Sequence, residues 1–199
     1  MQEIMRDVVF TIGHSTHPLE HFIGLLRQHG IAMLCDIRSK PYSSMYPHFN
    51  RENLKPSLRN VGIAYVFLGK ELGGRTQDAS SYVRGKVQYD RLARTDLFQE
   101  GLARVCQGVK SCRLALMCSE KDPLECHRAL LVARQLDGSG LEVEHILGDG
   151  RLESHSEALA RLLRQLNLPE YDMFRSREEV IEDAYRIQGE RIAYYDDEI

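Results

Sequence analysis

The sequence has no long apolar run. Nowhere does it hold the roughly 18 consecutive apolar residues that a membrane-spanning helix needs. It has no internal repeat and no low-complexity tract, which argues against solenoid and disordered classes. It also lacks an excess of one charge. The formal net charge is −3 and the pI about 6.2, which argues against broad attraction to nucleic acid or an anionic membrane and leaves only a local basic patch. Five cysteines make an odd number without paired spacing, so a disulfide framework is not expected. Cys35, Cys112 and Cys118 stand in apolar runs and read as reduced thiols of a cytoplasmic protein. The opening residues carry Glu3, Arg6 and Asp7 and no apolar core of a signal peptide.

The 199 residues, 43% of them apolar, suit one α/β domain over 1–168 with a helical, acidic tail over 169–199. Strands are predicted at Val8 to Ile12, Ile31 to Ile37, Ile63 to Leu68, Arg113 to Cys118 and Val143 to Leu147. Helical periodicity falls between them. Pro18 suits a first turn ahead of Leu19, Phe22, Ile23 and Leu26, and Gly30 ends that run. Further helices are expected over Arg51 to Asn60, with Pro56 a point of kinking, and over Tyr89 to Ala93, Leu97 to Val109 and Pro123 to Leu136. Leu159, Leu162, Leu163 and Leu166 mark a final core helix, and the tail adds one over Arg177 to Gln188 before a mobile acidic end at Asp196, Asp197 and Glu198. This alternation predicts a mainly parallel, roughly five-stranded, doubly wound (Rossmann-like) sheet with flanking helices.

Chemistry-bearing residues gather at the expected strand ends, where such folds bind ligands. His14 and Ser15 follow the first strand, and Asp36 and Arg38 end the second. Arg75 follows Gly73 and Gly74 in a long polar stretch from Gly69 to Lys86. Cys118 ends the fourth strand, with Glu120 two residues on and Cys126, His127 and Arg128 in the helix beyond.

These motifs resemble the domain-of-unknown-function 488 family. Thr11-Ile12-Gly13-His14-Ser15 is similar to its opening motif, and Asp36-Ile37-Arg38 with Pro41, Pro47 and Phe49 to its second. Gly62-Ile63-Ala64-Tyr65 with Leu72-Gly73-Gly74-Arg75, and Met117-Cys118-Ser119-Glu120 with Cys126-His127-Arg128, resemble the third and fourth. Ala184-Tyr185, Gln188 and Ile192-Ala193-Tyr194 are similar to the family's tail. Where many members carry a basic residue after the loop serine, this chain has Ser44 after Ser43.

Each candidate has a chemical and a structural reading. Cys118 is a nucleophile activated by a following helix, or a buried inert thiol. Cys126 falls on the core face of the expected helix and reads as a small hydrophobe. His14 and Glu120 are candidate acid–base groups, although His14 could equally hold a backbone carbonyl. Ser15 reads as a helix cap that could also touch a ligand. Asp36 and Arg38 share a face and form an ion pair or hold a polar ligand, while Arg75, His127 and Arg128 are candidate anion contacts. No cofactor is expected: Cys118 and Cys126 stand eight residues apart, adjacent Cys126 and His127 point different ways on a helix, and zinc sites usually show closer pairs.

The leading expectation is an enzyme, a hydrolase or transferase, acting on a nucleotide or another phosphate- or carboxylate-bearing small molecule. The alternatives are a non-catalytic nucleotide or nucleic-acid binding module, in which Tyr42, Tyr46 and Tyr82 with Arg51 and Arg84 stack on bases, and a metal or redox protein. Nucleic acid is the less favoured partner, no membrane is expected, and self-association stays open.

Overall fold

The computed structural model describes residues 7–169 and 173–197. In chain order the strands are β1 (Val8–Gly13), β2 (Met33–Asp36), β3 (Ala64–Phe67), β4 (Tyr82–Val83), β5 (Lys86–Val87), β6 (Leu114–Cys118), β7 (Glu142–Ile146) and β8 (Leu152–Ser154). The helices are α1 (Leu19–Gln28), α2 (Arg51–Asn60), α3 (Tyr89–Leu92), α4 (Asp96–Val109), α5 (Arg134–Gly138), α6 (His155–Gln165) and α7 (Arg177–Ile192).

Six strands form one sheet in the order β3-β2-β6-β1-β7-β8. The first five are mutually parallel, and β8 is an antiparallel edge. The sheet is therefore α/β and mainly parallel, as expected, with one more strand than the apolar runs announce. β8 is short and half-exposed (Leu152, Glu153, Ser154), so it has no apolar run to betray it. The β4–β5 hairpin inside the polar stretch after Gly69 escapes the sequence reading for the same reason.

Burial alternates along the central strand β6. Leu114, Leu116 and Cys118 join one core with Phe98 and Val105 of α4, whereas Ala115 and Met117 face α1 and α2 through Phe22, Leu26 and Leu54. A third cluster packs α6 and α7 against Leu124, Ala129 and Leu130. Pro56 lies within α2 without ending it.

The segment expected as one helix from Pro123 to Leu136 is instead three pieces. A single 3₁₀ turn (Pro123–Glu125) is followed by extended backbone at Cys126 (φ −142°, ψ 142°), then a π-helical stretch (Arg128–Ala133), then α5. Asp122 caps the turn by accepting from the Leu124 N–H (2.9 Å), while Arg161 holds both its carboxylate oxygens (2.7 and 2.9 Å).

The tail is not loose at Asp196. Its N–H donates to the Gly85 carbonyl (2.7 Å), and the Val87 N–H donates to the Tyr194 carbonyl (3.0 Å), so the chain after α7 docks on the β4–β5 hairpin. Glu198, at the end of the acidic run, and Glu3 and Arg6, near the start of the chain, lie outside the described residues. Among the described residues, no helix is long and apolar enough to cross a membrane.

Candidate functional site

The strand order creates a crevice. From β2 the chain passes outward to β3 on one side, and from β6 it passes to β7 on the other. Loops leaving the adjacent β2 and β6 diverge, which opens a cleft at their carboxyl ends. A cavity of about 350 Å³ lies there, lined by Arg38, Ser39 and Lys40 from β2, by Cys118, Ser119 and Glu120 from β6, and by Cys126 and His127. Gly74, Arg75, Tyr42 and Tyr89 add to the wall, and Ile192 and Tyr194 of the tail complete it.

Two thiols and an imidazole meet on this wall. The ligand atoms of Cys118, Cys126 and His127 all lie within 4.8 Å of one another. His127 Nδ1 is 3.7 Å from Cys118 Sγ and 3.8 Å from Cys126 Sγ. His127 Nε2–H donates to the Ile37 carbonyl (3.3 Å). The expectation that Cys126 and His127 point apart is thereby corrected. It assumed helical backbone, whereas Cys126 is extended; the residue stays in the core, as expected, with its sulfur also close to Cys118 and His127.

The Cys118 thiol donates to Glu120 Oε2 (3.1 Å), and the Arg128 backbone N–H donates to Cys126 Sγ (3.4 Å). Contact with Cys126, then burial, holds the Cys118 thiol well above its usual range. Burial also opposes a charged Cys126, but the Cys118 thiol, Arg128 and His127 outweigh it and draw Cys126 well below. Activation of Cys118 by a following helix finds no support, since only one 3₁₀ turn follows it.

A second polar group supports the first from behind. Arg38 grips Asp36 with two bonds (Nε to Oδ1 2.9 Å, Nη2 to Oδ2 2.6 Å) and donates to the Phe49 carbonyl (2.8 Å) and to His14 Nε2 (3.2 Å). Tyr65 O–H donates to the same carboxylate (2.7 Å). Asp36 and Arg38 thus form a buried ion pair, with only Arg38 reaching the cavity. His14 donates from Nδ1 to the Ser15 carbonyl (2.9 Å) and stacks on Phe49, outside the cavity lining. Burial, then the Arg38 charge, pushes its pKa down to about 4, so the ring is neutral near pH 7.

Ser15 does not cap α1, whose cap position is Pro18. It sits at φ 48° and its N–H donates to the Ser119 carbonyl (2.8 Å). Arg128 is fully buried beneath the loop, donating to the Glu120 (2.7 Å) and Lys121 (3.0 Å) carbonyls, and it does not line the cavity. Arg75 does line it, with its guanidinium 4.4 Å above the Tyr194 ring and its N–H held by Ser39 Oγ (2.9 Å). Lys40, Ile192 and Tyr194 line the cavity although none was a candidate site residue, and Cys126, read as core, lines it too; the family-like motifs Cys126-His127-Arg128 and Ile192-Ala193-Tyr194 were the available signals, and Lys40 had none.

Comparison with known proteins adds one finding. Residues 18–135, more than half of the chain, match the family model described as "Domain of unknown function DUF488". The chain belongs to the DUF488 family. No curated protein and no solved structure matches it. The DUF488 match contains β2, β6 and the whole sulfur–imidazole cluster, and stops short of Gly13-His14 and of α7.

Proposed function

We propose that this DUF488 protein is an enzyme, a hydrolase or group transferase, acting on an anionic small molecule in the crevice at the ends of β2 and β6. One observation carries the reading. Three groups able to attack, bind or shuttle protons stand within 4.8 Å of one another on the wall of a cavity that also bears Lys40 and Arg75. Arg75 matches phosphate or carboxylate as a planar fork, and its stacking on Tyr194 sets the fork in place before binding. Lys40 adds a second charge. The Cys118–Cys126–His127 cluster forms the reacting centre, and Glu120, beside Cys118 on the same wall, is the acid–base group. His14, Ser15, Asp36 and Arg128 position the loops that carry these groups. A nucleotide or another phosphate- or carboxylate-bearing metabolite is the ligand class.

Base stacking by the loop tyrosines has less support. Tyr82 is buried with its hydroxyl donating to the Thr76 carbonyl (2.7 Å), and Arg51 stacks on Phe67. A thermal-shift screen of phosphorylated and carboxylated metabolites tests the reading. Hits on the wild type that weaken in Arg75→Ala and in Cys118→Ser are expected. An empty screen, or hits indifferent to both changes, would overturn it.

A further inference from the structure

We propose that Cys118, Cys126 and His127 form a three-ligand site for zinc(II), with a fourth coordination position open to the crevice. Metal binding follows from the geometry alone, whereas a catalytic use of the metal rests on the enzymatic reading above.

The donor set comes first. Two thiolates and an imidazole suit a borderline-soft divalent ion, and two cysteines with one histidine plus an exchangeable fourth ligand is a known arrangement for catalytic zinc. The distances follow. Bonds of about 2.3 Å to sulfur and about 2.0 Å to nitrogen, at a tetrahedral angle, separate S from N by about 3.5 Å. His127 Nδ1 lies 3.7 and 3.8 Å from the two sulfurs, close to that separation. The same geometry needs sulfurs about 3.8 Å apart, and all three ligand atoms already lie within 4.8 Å.

The surroundings orient the ligands as a metal would require. Donation from His127 Nε2–H to the Ile37 carbonyl (3.3 Å) makes Nδ1 the lone-pair nitrogen of the neutral ring, the nitrogen that faces both sulfurs. The ring also lies against bare backbone. A Cβ on Gly74 would come to 3.0 Å of His127 Cγ, so glycine there lets the imidazole settle. The Arg128 N–H on Cys126 Sγ stabilises charge on that sulfur. Both cysteines are at most 4% exposed, yet both line the cavity, so the ion would be sheltered from bulk water while one side stayed reachable. Glu120 accepts from Cys118 (3.1 Å) and lines the same cavity, so it is the carboxylate beside the open face of the site.

Zinc content of the full chain, purified without a histidine tag and dialysed against a weak chelator, tests the site. About one zinc per chain is expected. Cobalt(II) added to chelator-stripped wild-type protein should give thiolate-to-cobalt charge transfer and tetrahedral visible bands. Cys126→Ser and His127→Ala should each weaken zinc at least about tenfold while circular dichroism confirms folding. Zinc far below one per chain, together with a cobalt spectrum lacking charge transfer, would overturn the site without needing any variant to fold. If zinc fails while phosphorylated metabolites still shift the melting temperature, the metal falls and the enzymatic reading stands. Bound zinc with no anion response reverses that outcome.

Discussion

Gly13 lies directly against the carbonyl of Glu120. A Cβ at position 13 would overlap that oxygen, the same oxygen that accepts from Arg128 Nη1 (2.7 Å). The end of β1 can therefore pass under the loop that leaves β6 only as bare backbone. Gly13→Ala is expected to destabilise the fold by about 2–4 kcal/mol, because the neighbour that must yield is main chain pinned by a buried guanidinium. Arg128→Met should cost a similar amount, since two loop carbonyls lose their donors at about 1–3 kcal/mol each. Urea unfolding of both variants measures this. A loss under about 0.5 kcal/mol for Gly13→Ala would show that the loop simply moves aside.

Asp36 and Arg38 should behave as a unit. Both are buried, and the Asp36 carboxylate also accepts from Tyr65. Asp36→Asn leaves a guanidinium without its counter-charge and is expected to cost about 3–5 kcal/mol. Tyr65→Phe removes one hydrogen bond and should cost about 1 kcal/mol. Equilibrium denaturation of the two single variants gives the ratio. Equal losses would contradict the ion pair as the dominant contact.

Arg75→Ala should leave stability within about 0.5 kcal/mol of wild type, because the side chain is at the surface. Affinity for an anionic ligand should fall about tenfold to a hundredfold, the value of a charge-assisted contact. Arg75→Lys should recover only part of it, since a point charge replaces the fork and its stacking on Tyr194. Calorimetric titration with a hit from the metabolite screen reads all three proteins.

Stability should fall in mild acid. Thr11, His145, His155 and Tyr185 form one buried hydrogen-bonded chain, with contacts of 2.7, 3.1 and 2.8 Å. Burial, followed by the charge of its His155 neighbour, holds His145 well below its usual range, and burial pushes His155 down to about 4. The unfolded chain takes up protons below about pH 6.5 that the folded chain refuses. The contribution is thus complete above about pH 6.5 and is lost as pH falls toward about 4, with a slope of up to about 1.4 kcal/mol per pH unit for each histidine. Unfolding midpoints in urea between about pH 7 and about pH 5 should drop for wild type and drop less steeply in His155→Gln, which keeps the depressed His145 and His14. A wild-type midpoint that does not change across that interval would show that these rings are not held neutral.

The legible part of this protein was what repeats locally. The parallel strands appeared as apolar runs and α1, α4 and α6 as periodic faces, because burial of one face dictates residue type at that spacing. The strand ends were partly readable. Arg38 and Cys118 line one cavity, whereas His14 lies behind it, bonded to Arg38 (3.2 Å) and, by its backbone N–H, to the Cys118 carbonyl (2.9 Å). The edge strand β8 and the β4–β5 hairpin were hidden, being short and partly exposed.

Residue order alone thus pointed to the class of fold and to the family. It could not say which polar side chains face a ligand. Arg128 and His14 are buried outside the cavity lining, while Cys126 is core, as read, and also one corner of the sulfur–imidazole cluster. Only one 3₁₀ turn follows Asp122, the backbone at Cys126 is extended, and a helical wheel has no meaning there. Contacts between distant segments chose that conformation, and with it the place where two thiols and an imidazole meet.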